Sequence, residues 1–541
     1  MTGSAETEIR ADLLIVGGGL GGVAAALSAS RRGLTVVLAN PGEWLGGQLT
    51  SQGVPLDEHP WIESFGATAS YRALREGIRD HYRRHYQLIE AARRWTELNP
   101  GAGTVSKLCC EPRVALTVID NMLAPWESSR QLTVLRNCEP TAAEVDRDRV
   151  RAVVLRDSAG TTTQCRADYV IDASETGELL PLTGTEYVTG AESRDETGEE
   201  HAPGAADPLN MQAVSHCFAV DHIAGGDFTI PRPANYDQWR RFRLPGWTTP
   251  LFSWTSPSPR TMRPVQRRFC PNPDTDPLEI VADQSLSSGD EDLWIFRRLL
   301  ARKLFRPGLY ASDIVLVNWP GVDYVGLPVF EVPDDQADRA RREAREQSLA
   351  LLHWLQTEAP RPDGGVGFPG LRPRGDVMGT TDGLARELYI RESRRIRALT
   401  TVKEQDVSFA ARGHSGARAF RDSVGIGSYH IDLHPSTGGD TYIDLASAPF
   451  EIPLGALLPR RTRNLIAGAK NIGTTHITNG CYRLHPVEWN VGESAGLLAA
   501  FCIAAETEPH AVWERPALLE DFQRVLSAEG IQLAWPRVGP Y

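Results

Sequence analysis

Lysine is scarce in this chain of 541 residues. Only four of its 57 basic residues are lysines, and 69 acidic residues outnumber the basic ones, which gives a net charge of −12. An arginine excess of this size is more typical of codon composition than of a binding function. The acidic balance argues against a nucleic-acid-binding protein and against a basic membrane-surface protein.

Cysteine is also sparse, and no apolar segment is expected to span a membrane. The eight cysteines contain no CxxC pair, so we exclude a disulfide scaffold and expect a reducing, cytoplasmic setting. No basic stretch followed by an apolar run opens the chain, so we expect no signal peptide. One uncharged stretch, 13–30, contains five glycines between positions 17 and 22, which divide it into a strand and a helix. We therefore expect a soluble globular protein.

Closely spaced glycines follow a short apolar strand near the start of the chain. The pattern predicts a strand, a helix and a second strand at 11–16, 23–32 and 34–39. Between the first two, successive glycines provide a tight turn, a close approach of backbone to a pyrophosphate, and close packing of helix on strand, while the helix N-terminus attracts phosphates. The unit predicts a dinucleotide site, to which we assign Gly17, Gly19, Leu20 and Gly22.

The residue that ends the second strand departs from the usual pattern. An acidic residue normally holds the adenosine ribose here, whereas this chain has Asn40. An asparagine can still bind a diol, although without charge assistance, and Glu43 is near enough in sequence to substitute.

Further signals point to FAD. A double glycine after the second strand is typical of FAD proteins, where backbone passes close to the pyrophosphate and ribityl chain. Near the other end a strand reaches a glycine, and we expect a helix that opens at Asn490 and points its N-terminus at the flavin N1/O2 edge. The stretch 167–174 predicts a strand that ends on Asp172. From these segments we assign to the cofactor Gly46, Gly47, Gln48, Asp172, Gly468, Asn490, Gly492 and Glu493.

These motifs carry a family resemblance. The chain resembles the FAD-dependent oxidoreductases with a glutathione-reductase-type FAD-binding domain, related to the fumarate reductase and succinate dehydrogenase flavoproteins. The matching stretches are Gly17–Gly47, Asp168–Ser193 and Ile390–Gly496. One departure is Glu175, which stands where the Asp-Ala-Ser-Gly pattern has glycine. The resemblance implies FAD as cofactor and an α/β fold, with a discontinuous Rossmann-like FAD-binding domain and an inserted α+β substrate domain.

The expected organisation is two interleaved domains and a tail. We predict an FAD-binding domain at 9–215 and 445–510, a substrate or cap domain at 216–444, and a C-terminal helical tail at 511–541. Residues 71–95 predict a basic amphipathic helix or a pair of helices with solvated arginines, and 334–357 predict a charged helix. No second strand–GxGxxG–helix unit occurs, so a dedicated NAD(P)H domain is not expected.

Residues that could do chemistry cluster before the last glycines. We predict proton transfer by His476 or His485, a carboxylate or reduced-flavin contact by Arg483, and a base at Glu488 if it is desolvated. Arg391 is expected to share a helix face with Arg394 or Arg395, either in an ion-pair network or toward substrate. His430, Asp432 and His434 share one face of a predicted strand; a polar sheet face is favoured over a metal site, and we assign no metal.

The favoured function is an FAD-dependent dehydrogenase or oxidase that transfers hydride between flavin N5 and a small organic substrate. An NAD(P)H-dependent flavin monooxygenase is the alternative, and a non-catalytic FAD-binding scaffold or sensor is the remote one. Five tryptophans in the predicted insertion favour a substrate with an apolar or aromatic part. We expect no nucleic-acid or membrane partner; the electron partner and a homodimer stay open.

Overall fold

The structure is a computed structural model that describes residues 7–280 and 291–536. Its strands are β1 Thr7–Val16, β2 Val36–Asn40, β3 Leu132–Arg136, β4 Cys138–Asp146, β5 Arg149–Asp157, β6 Thr162–Asp172, β7 Tyr187–Val188, β8 Val214–Ser215, β9 Phe218–His222, β10 Thr255–Pro257, β11 Pro264–Gln266, β12 Arg298–Leu300, β13 Ile314–Val317, β14 Asp323–Tyr324, β15 Leu371–Pro373, β16 Tyr389–Ile390, β17 Arg395–Ile396, β18 Ser423–Gly427, β19 Ile431–Leu433, β20 Ile443–Leu445, β21 Phe450–Pro453 and β22 Leu465–Ala467. Its helices are α1 Leu20–Arg31, α2 Ala69–His85, α3 Glu90–Arg94, α4 Pro112–Ser128, α5 Leu179–Thr183, α6 Arg194–Thr197, α7 Tyr236–Arg241, α8 Pro277–Ile280, α9 Leu293–Phe296, α10 Asp334–Thr357, α11 Gly375–Met378, α12 Glu404–Val407, α13 Phe409–Arg412, α14 His476–Tyr482, α15 His485–Ala504, α16 Pro509–Glu514 and α17 Pro516–Ala528.

The largest sheet has a parallel part in the order β3-β2-β1-β6, extended by β22 beside the end of β6. Strand β6 pairs with three strands: it is parallel to β1 along its length, antiparallel to β5 at its start and parallel to β22 at its end. The parallel register aligns Val16 with Asp172 and Asp172 with Ala467, so these strands end at one edge. This parallel sheet confirms the predicted α/β, Rossmann-like fold. In doubly wound sheets ligands bind at the carboxyl edge of the strands.

Helix α15 packs against α1 beside this sheet, and its start corrects one prediction. The helix begins at His485, so Asn490 and Gly492 lie in its interior, and the expected helix start at Asn490 is wrong. Pro486 explains the earlier start, because proline has no N–H to leave unpaired in a first helical turn. Gly492 instead contacts the backbone of α1: a Cβ there would lie 1.9 Å from Gly21 O.

A second hydrophobic core lies in the region predicted as substrate domain. It packs aliphatic side chains of β8, β9, β13 and β15, and aromatic side chains that come mostly from loops and short helices, against α10. Helix α10 covers the predicted range 334–357. Apolar side chains from 396 to 433 pack in the other, larger cluster with the FAD-binding sheet. The domain boundaries stay a prediction.

Two local expectations are wrong. Residues 389–396 form short strands rather than a helix, because they pair with β8 and with β7. In 71–95 the pair of helices is confirmed as α2 and α3, but Arg75 and Arg79 are buried, not solvated. Both arginines bind Glu63, at 2.6 Å, and Arg75 also binds buried Glu58 at 2.9 Å.

None of the helices in the described ranges is long and apolar enough to cross a lipid bilayer.

Candidate functional site

The glycine turn after β1 is closed against the end of β6. Gly17 has φ +102°, and a Cβ there would lie 2.2 Å from Ala173 O, so only glycine fits. Gly22 has the same constraint from its own turn, since its Cβ would lie 1.8 Å from Gly17 O. Helix α1 then begins at Leu20 with Gly19 as its N-cap, without a side-chain cap. Of the first N–H groups of α1, that of Gly21 faces Glu488 Oε1 at 3.4 Å, and no side chain at the N-cap position takes the others, which can face an anion at the sheet edge.

Asn40 binds backbone groups of the glycine turn and the following loop. Its Oδ1 accepts from Gly18 N at 3.0 Å, and its Nδ2 donates to Gly42 O and Trp44 O. Glu43 points away to an exposed ion pair with Arg386, at 2.7 Å. In this conformation Asn40 orders the cofactor loop, and its predicted ribose contact stays a prediction.

Three ionisable side chains meet at the N-terminus of α1. Glu488 Oε1 accepts from Gly21 N at 3.4 Å, and its other oxygen accepts from Gln48 Nε2. A Cβ at Gly19 would lie 3.1 Å from Glu488 Oε1 and 3.2 Å from Glu175 Oε1. Lys470 Nζ forms an ion pair with Glu175. Sequence reasoning missed Lys470 and gave Glu175 no role, although a rare lysine and a broken glycine pattern were both visible signals.

Burial sets the protonation of this cluster. Burial raises the pKa of Glu488, the Lys470 charge opposes the rise, the Glu175 charge adds to it, and the resulting pKa is about 7. Burial lowers the pKa of Lys470, but the charges of Glu175 and Glu488 outweigh that effect and raise it. Lys470 is therefore charged at neutral pH, whereas Glu488 changes protonation there.

Asp172 and Gly468 shape the edge of the sheet. The Asp172 carboxylate accepts from Ser174 Oγ at 2.6 Å and from Leu179 N at 3.1 Å, and its backbone oxygen accepts from Gly468 N at 2.8 Å. Burial raises the pKa of Asp172 to about 6. Both residues fix the turns around Gly17, and their cofactor contacts stay predictions.

Asn490 and Glu493 lie on helix α15 and contact other protein groups. Asn490 donates to Val424 O at 3.3 Å and to Ser494 Oγ at 3.1 Å. Glu493 accepts from Ser70 Oγ at 2.6 Å, and burial raises the pKa of its carboxyl group. These contacts give both residues a role in packing α15, and the cofactor contacts predicted for them from an expected helix start at Asn490 stay predictions.

His476 belongs to a buried ion-pair network. Its Nδ1 bonds Glu392 Oε1 at 2.9 Å, and its backbone N donates to Glu192 Oε2 at 2.9 Å. Arg395 binds both glutamates from the other side. Burial alone would lower the pKa of His476, but the Glu392 carboxylate outweighs it and raises the pKa. This arrangement favours a charged His476 that donates hydrogen bonds.

His485 holds a loop in place in this structure, and its proton transfer stays a prediction. Its Nδ1 accepts from Asp57 N at 3.0 Å, and Nε2 faces Val54 O at 3.3 Å. With one nitrogen accepting and the other donating to backbone, neither is free for substrate. Burial lowers the pKa of His485 to about 4, which keeps it neutral.

Arg483 is buried beside Tyr389 and strand β19. Its Nη1 donates to Tyr389 Oη at 2.7 Å, and its Nη2 donates to Asp432 Oδ2 at 2.9 Å, while Gln48 Nε2 donates to its backbone oxygen at 2.9 Å. Arg391 lies over the Tyr389 ring, 4.8 Å from its centroid.

Arg391 and the predicted His-Asp-His face are engaged by protein partners. Arg391 binds Asp323 Oδ1 at 3.0 Å, and His434 Nδ1 bonds the other oxygen of Asp323 at 2.7 Å. His430 bonds Asp444 at 2.7 Å. These contacts agree with the polar sheet face and give Arg391 an ion-pair role.

The FAD dependent oxidoreductase family matches residues 12–526, nearly the whole chain and all of the site above. The chain belongs to this family. FAD is accordingly its cofactor, and the protein is an FAD-dependent oxidoreductase. No curated protein matches the chain.

Solved structures similar to this oxidoreductase include two dehydrogenases and a monooxygenase. It covers 24% of an L-proline dehydrogenase from P. horikoshii and 41% of a glycerol-3-phosphate dehydrogenase from Bacillus halodurans complexed with FAD, over 34% and 40% of its own length. The identities are 12% and 18%, with TM-scores of 0.19 and 0.23. A p-nitrophenol 4-monooxygenase from Pseudomonas putida DLL-E4 matches at 11% identity and TM-score 0.36, over 98% of this chain and 88% of that one. Likenesses at this level do not decide the reaction.

The residues of the FAD-dependent oxidoreductase fit its cofactor. Gly46 and Gly47 have φ +103° and +47°, and a Cβ at Gly47 would lie 2.9 Å from Glu175 Oε1. Buried amide atoms next to them have no partner among the described residues: Gln48 Oε1 and both amide atoms of Gln52. An unpaired buried polar group costs about 1–3 kcal/mol, so a polar ligand that pairs with these amides stabilises the site. A flavin ring has both donors and acceptors for them.

The buried carboxyl of Glu488 predicts a pH dependence of the FAD-free oxidoreductase. Its pKa of about 7, against 4.5 ordinarily, gives a stabilising contribution that is present below pH 4.5 and lost as the pH rises through 7. The groups that face it are Lys470, Glu175, Gln48 and the N-terminus of α1. We expect the urea midpoint to fall over this pH range and Glu488→Gln to reduce the fall. An equally steep fall in the variant would contradict the assignment.

Proposed function

We propose that this protein is a flavin dehydrogenase or oxidase acting on a small organic molecule. Arg483 and Tyr389, buried together beside the Gly46–Gln48 loop, are the observation that carries this proposal, because they offer a substrate anchor next to the cofactor segment. The sequence has no second dinucleotide-binding unit, which favours electron transfer to oxygen or a separate acceptor. Within the family we propose the glutathione-reductase-type subgroup related to fumarate reductase, and a cytoplasmic location.

Bound FAD supplies the two-electron oxidation chemistry. The turn from Gly17 to Gly22 and the Lys470 ammonium would hold its phosphates, and the Gln48 and Gln52 amides would bind its polar ring edge. Arg483 orients the substrate, and Glu488, with a pKa of about 7, can take up or release a proton near neutral pH.

Anaerobic reduction of the purified holoenzyme tests this function. We expect a member of a metabolite panel to bleach the flavin absorbance without nicotinamide, while NADPH alone leaves it unchanged. Rapid bleaching by NADPH would instead support the monooxygenase. Arg483→Met should slow substrate-driven bleaching at least tenfold, whereas exposed Arg306→Met serves as the matched control. Equal bleaching rates for Arg483→Met and the unmodified protein would contradict the anchor role of Arg483, whereas no bleaching by any member of the panel would favour the non-catalytic scaffold.

A further inference from the structure

A carboxylate from a distant segment of the chain lies at the end of β2. This strand ends at Asn40, at the same sheet edge as the Gly17–Gly22 turn. A Cβ at Gly42 would lie 2.1 Å from Glu387 Oε1 and 3.6 Å from Asn40 Nδ2. Glu387 therefore occupies the space that a side chain at position 42 would otherwise fill, next to the residue that ends β2.

Asn40 itself has little hydrogen-bonding capacity left for a ligand. Its Oδ1 accepts from Gly18 N at 3.0 Å, and its amide group donates to Gly42 O at 2.8 Å and to Trp44 O at 3.1 Å. Both amide hydrogens are thus used, and one lone pair of Oδ1 stays available. The two adjacent hydroxyls of a ribose donate two hydrogen bonds, so Asn40 accepts at most one of them.

The Glu387 carboxylate is fixed through one oxygen and open at the other. Its Oε2 accepts from Ser51 Oγ at 2.8 Å, and its backbone N–H donates to Ser51 O at 3.1 Å. The preceding residue, Arg386, forms an ion pair with Glu43 and lies over the Trp44 ring, 5.2 Å from its centroid. These contacts hold the segment against the loop that follows β2. In the described part of the chain, no donor bonds Glu387 Oε1.

Charge suits this oxygen to a neutral hydroxyl donor. Burial raises the pKa of Glu387, the Ser51 hydrogen bond lowers it and the Glu175 charge raises it further, so that the pKa lies above its ordinary value. A carboxyl group in this state gains from each further hydrogen bond to its charged form. Phosphate oxygens, which are negatively charged and carry no donor at neutral pH, would instead be repelled.

We propose that Glu387 binds the adenosine ribose of FAD, in place of the acidic residue that β2 lacks. An acidic side chain at this edge ordinarily accepts from the ribose hydroxyls, and a charged acceptor makes such bonds about twice as strong as those between neutral groups. Glu387 lies in the region 216–444 that is predicted as the substrate domain, so both parts of the chain would contact the cofactor. The assignment concerns cofactor binding and is independent of the reaction that the enzyme catalyses.

Titration of the FAD-free protein tests the ribose contact without turnover. The ligands are FAD and an analogue whose adenosine ribose lacks the 2′-hydroxyl group, and flavin fluorescence gives both dissociation constants. We expect the unmodified protein to bind FAD about tenfold or more tightly than the analogue. Glu387→Met should weaken FAD binding by a similar factor and abolish the preference, whereas Glu387→Gln should reduce the preference several-fold. Glu43→Gln removes the acidic residue nearest to Asn40 in sequence and should leave the preference unchanged.

Several outcomes would overturn the assignment. Equal binding of FAD and the analogue by the unmodified protein would do so, and so would an unchanged preference in Glu387→Met. If Glu387→Met weakens both ligands by the same factor, Glu387 only fixes the Ser51 loop or contacts another part of FAD. Loss of the preference in Glu43→Gln alone would assign the ribose to Glu43. Circular dichroism checks the folding of each variant, and Glu387→Gln with the unmodified protein decides the question if Glu387→Met does not fold.

Discussion

Replacing Lys470 with methionine is expected to weaken FAD binding about a hundredfold or more. Lys470 is 2% exposed and is paired with Glu175 beside Glu488. Removing it leaves two carboxyl groups at the N-terminus of α1, where the FAD phosphates are expected. Breaking a buried ion pair by removing one partner costs about 3–5 kcal/mol of folding stability. The loss of FAD affinity comes from the missing ammonium and from repulsion between the two carboxyl groups and the phosphates.

A second substitution separates charge from packing. Glu175→Gln in the Lys470→Met background removes the carboxylate that lost its partner, so we expect only part of the FAD affinity to return, because the phosphates have still lost the Lys470 ammonium. Glu175→Gln alone frees Lys470 for the phosphates and should bind FAD at least as tightly as the unmodified protein. The dissociation constant is measured by fluorescence titration of FAD-free protein, with circular dichroism as a check on folding.

The two variants together decide whether Lys470 binds the FAD phosphates or only stabilises the fold. If Lys470 only stabilises the fold, Lys470→Met lowers the melting temperature of the FAD-free protein and leaves the FAD dissociation constant unchanged in the folded fraction. That result would contradict a phosphate-binding role. Failure of Glu175→Gln to restore affinity would show that the Lys470 ammonium itself, rather than relief of repulsion, determines FAD binding.

The FAD-binding sheet could be predicted from the sequence because each of its signals lies within a short stretch of the chain. A buried strand, a glycine turn and an alanine-rich helix follow one another within about 30 residues, and each is read from its own neighbours. The same holds for α10, where a charged segment with an apolar stripe becomes a helix over 334–357. The cofactor likewise followed from short motifs.

Contacts between distant segments decided what the sequence did not reveal. Arg391 lies in extended chain because Tyr389–Ile390 pairs with β8, a contact across more than 170 residues. His485 is neutral and engaged because Asp57 and Val54, over 400 residues away, bond its ring.

Gly492→Ala is expected to destabilise the protein by about 3 kcal/mol or more, the upper range for overpacked cores. A Cβ at Gly492 would lie 1.9 Å from Gly21 O and 2.5 Å from Gly21 Cα, both backbone atoms that no rotamer change can move. One turn later, a Cβ at Gly496 would lie 2.4 Å from Ala25 O, so α1 and α15 are in close contact along two turns. The helices would have to separate.

Helix propensity predicts the opposite change in stability, so the direction of the measured change distinguishes propensity from backbone contact. Alanine is favoured over glycine inside a helix by about 1 kcal/mol, so propensity alone predicts that Gly492→Ala stabilises α15. Exposed Gly204, where a Cβ would contact nothing within 4 Å, provides the control substitution Gly204→Ala. Urea unfolding should show a large drop in midpoint for Gly492→Ala and little change for Gly204→Ala. Because Gly21 is in the first turn of α1, separating the helices also displaces the N–H groups that face the phosphates, so FAD affinity should fall together with stability. A midpoint for Gly492→Ala at or above that of the unmodified protein would show that propensity, not backbone contact, governs this position.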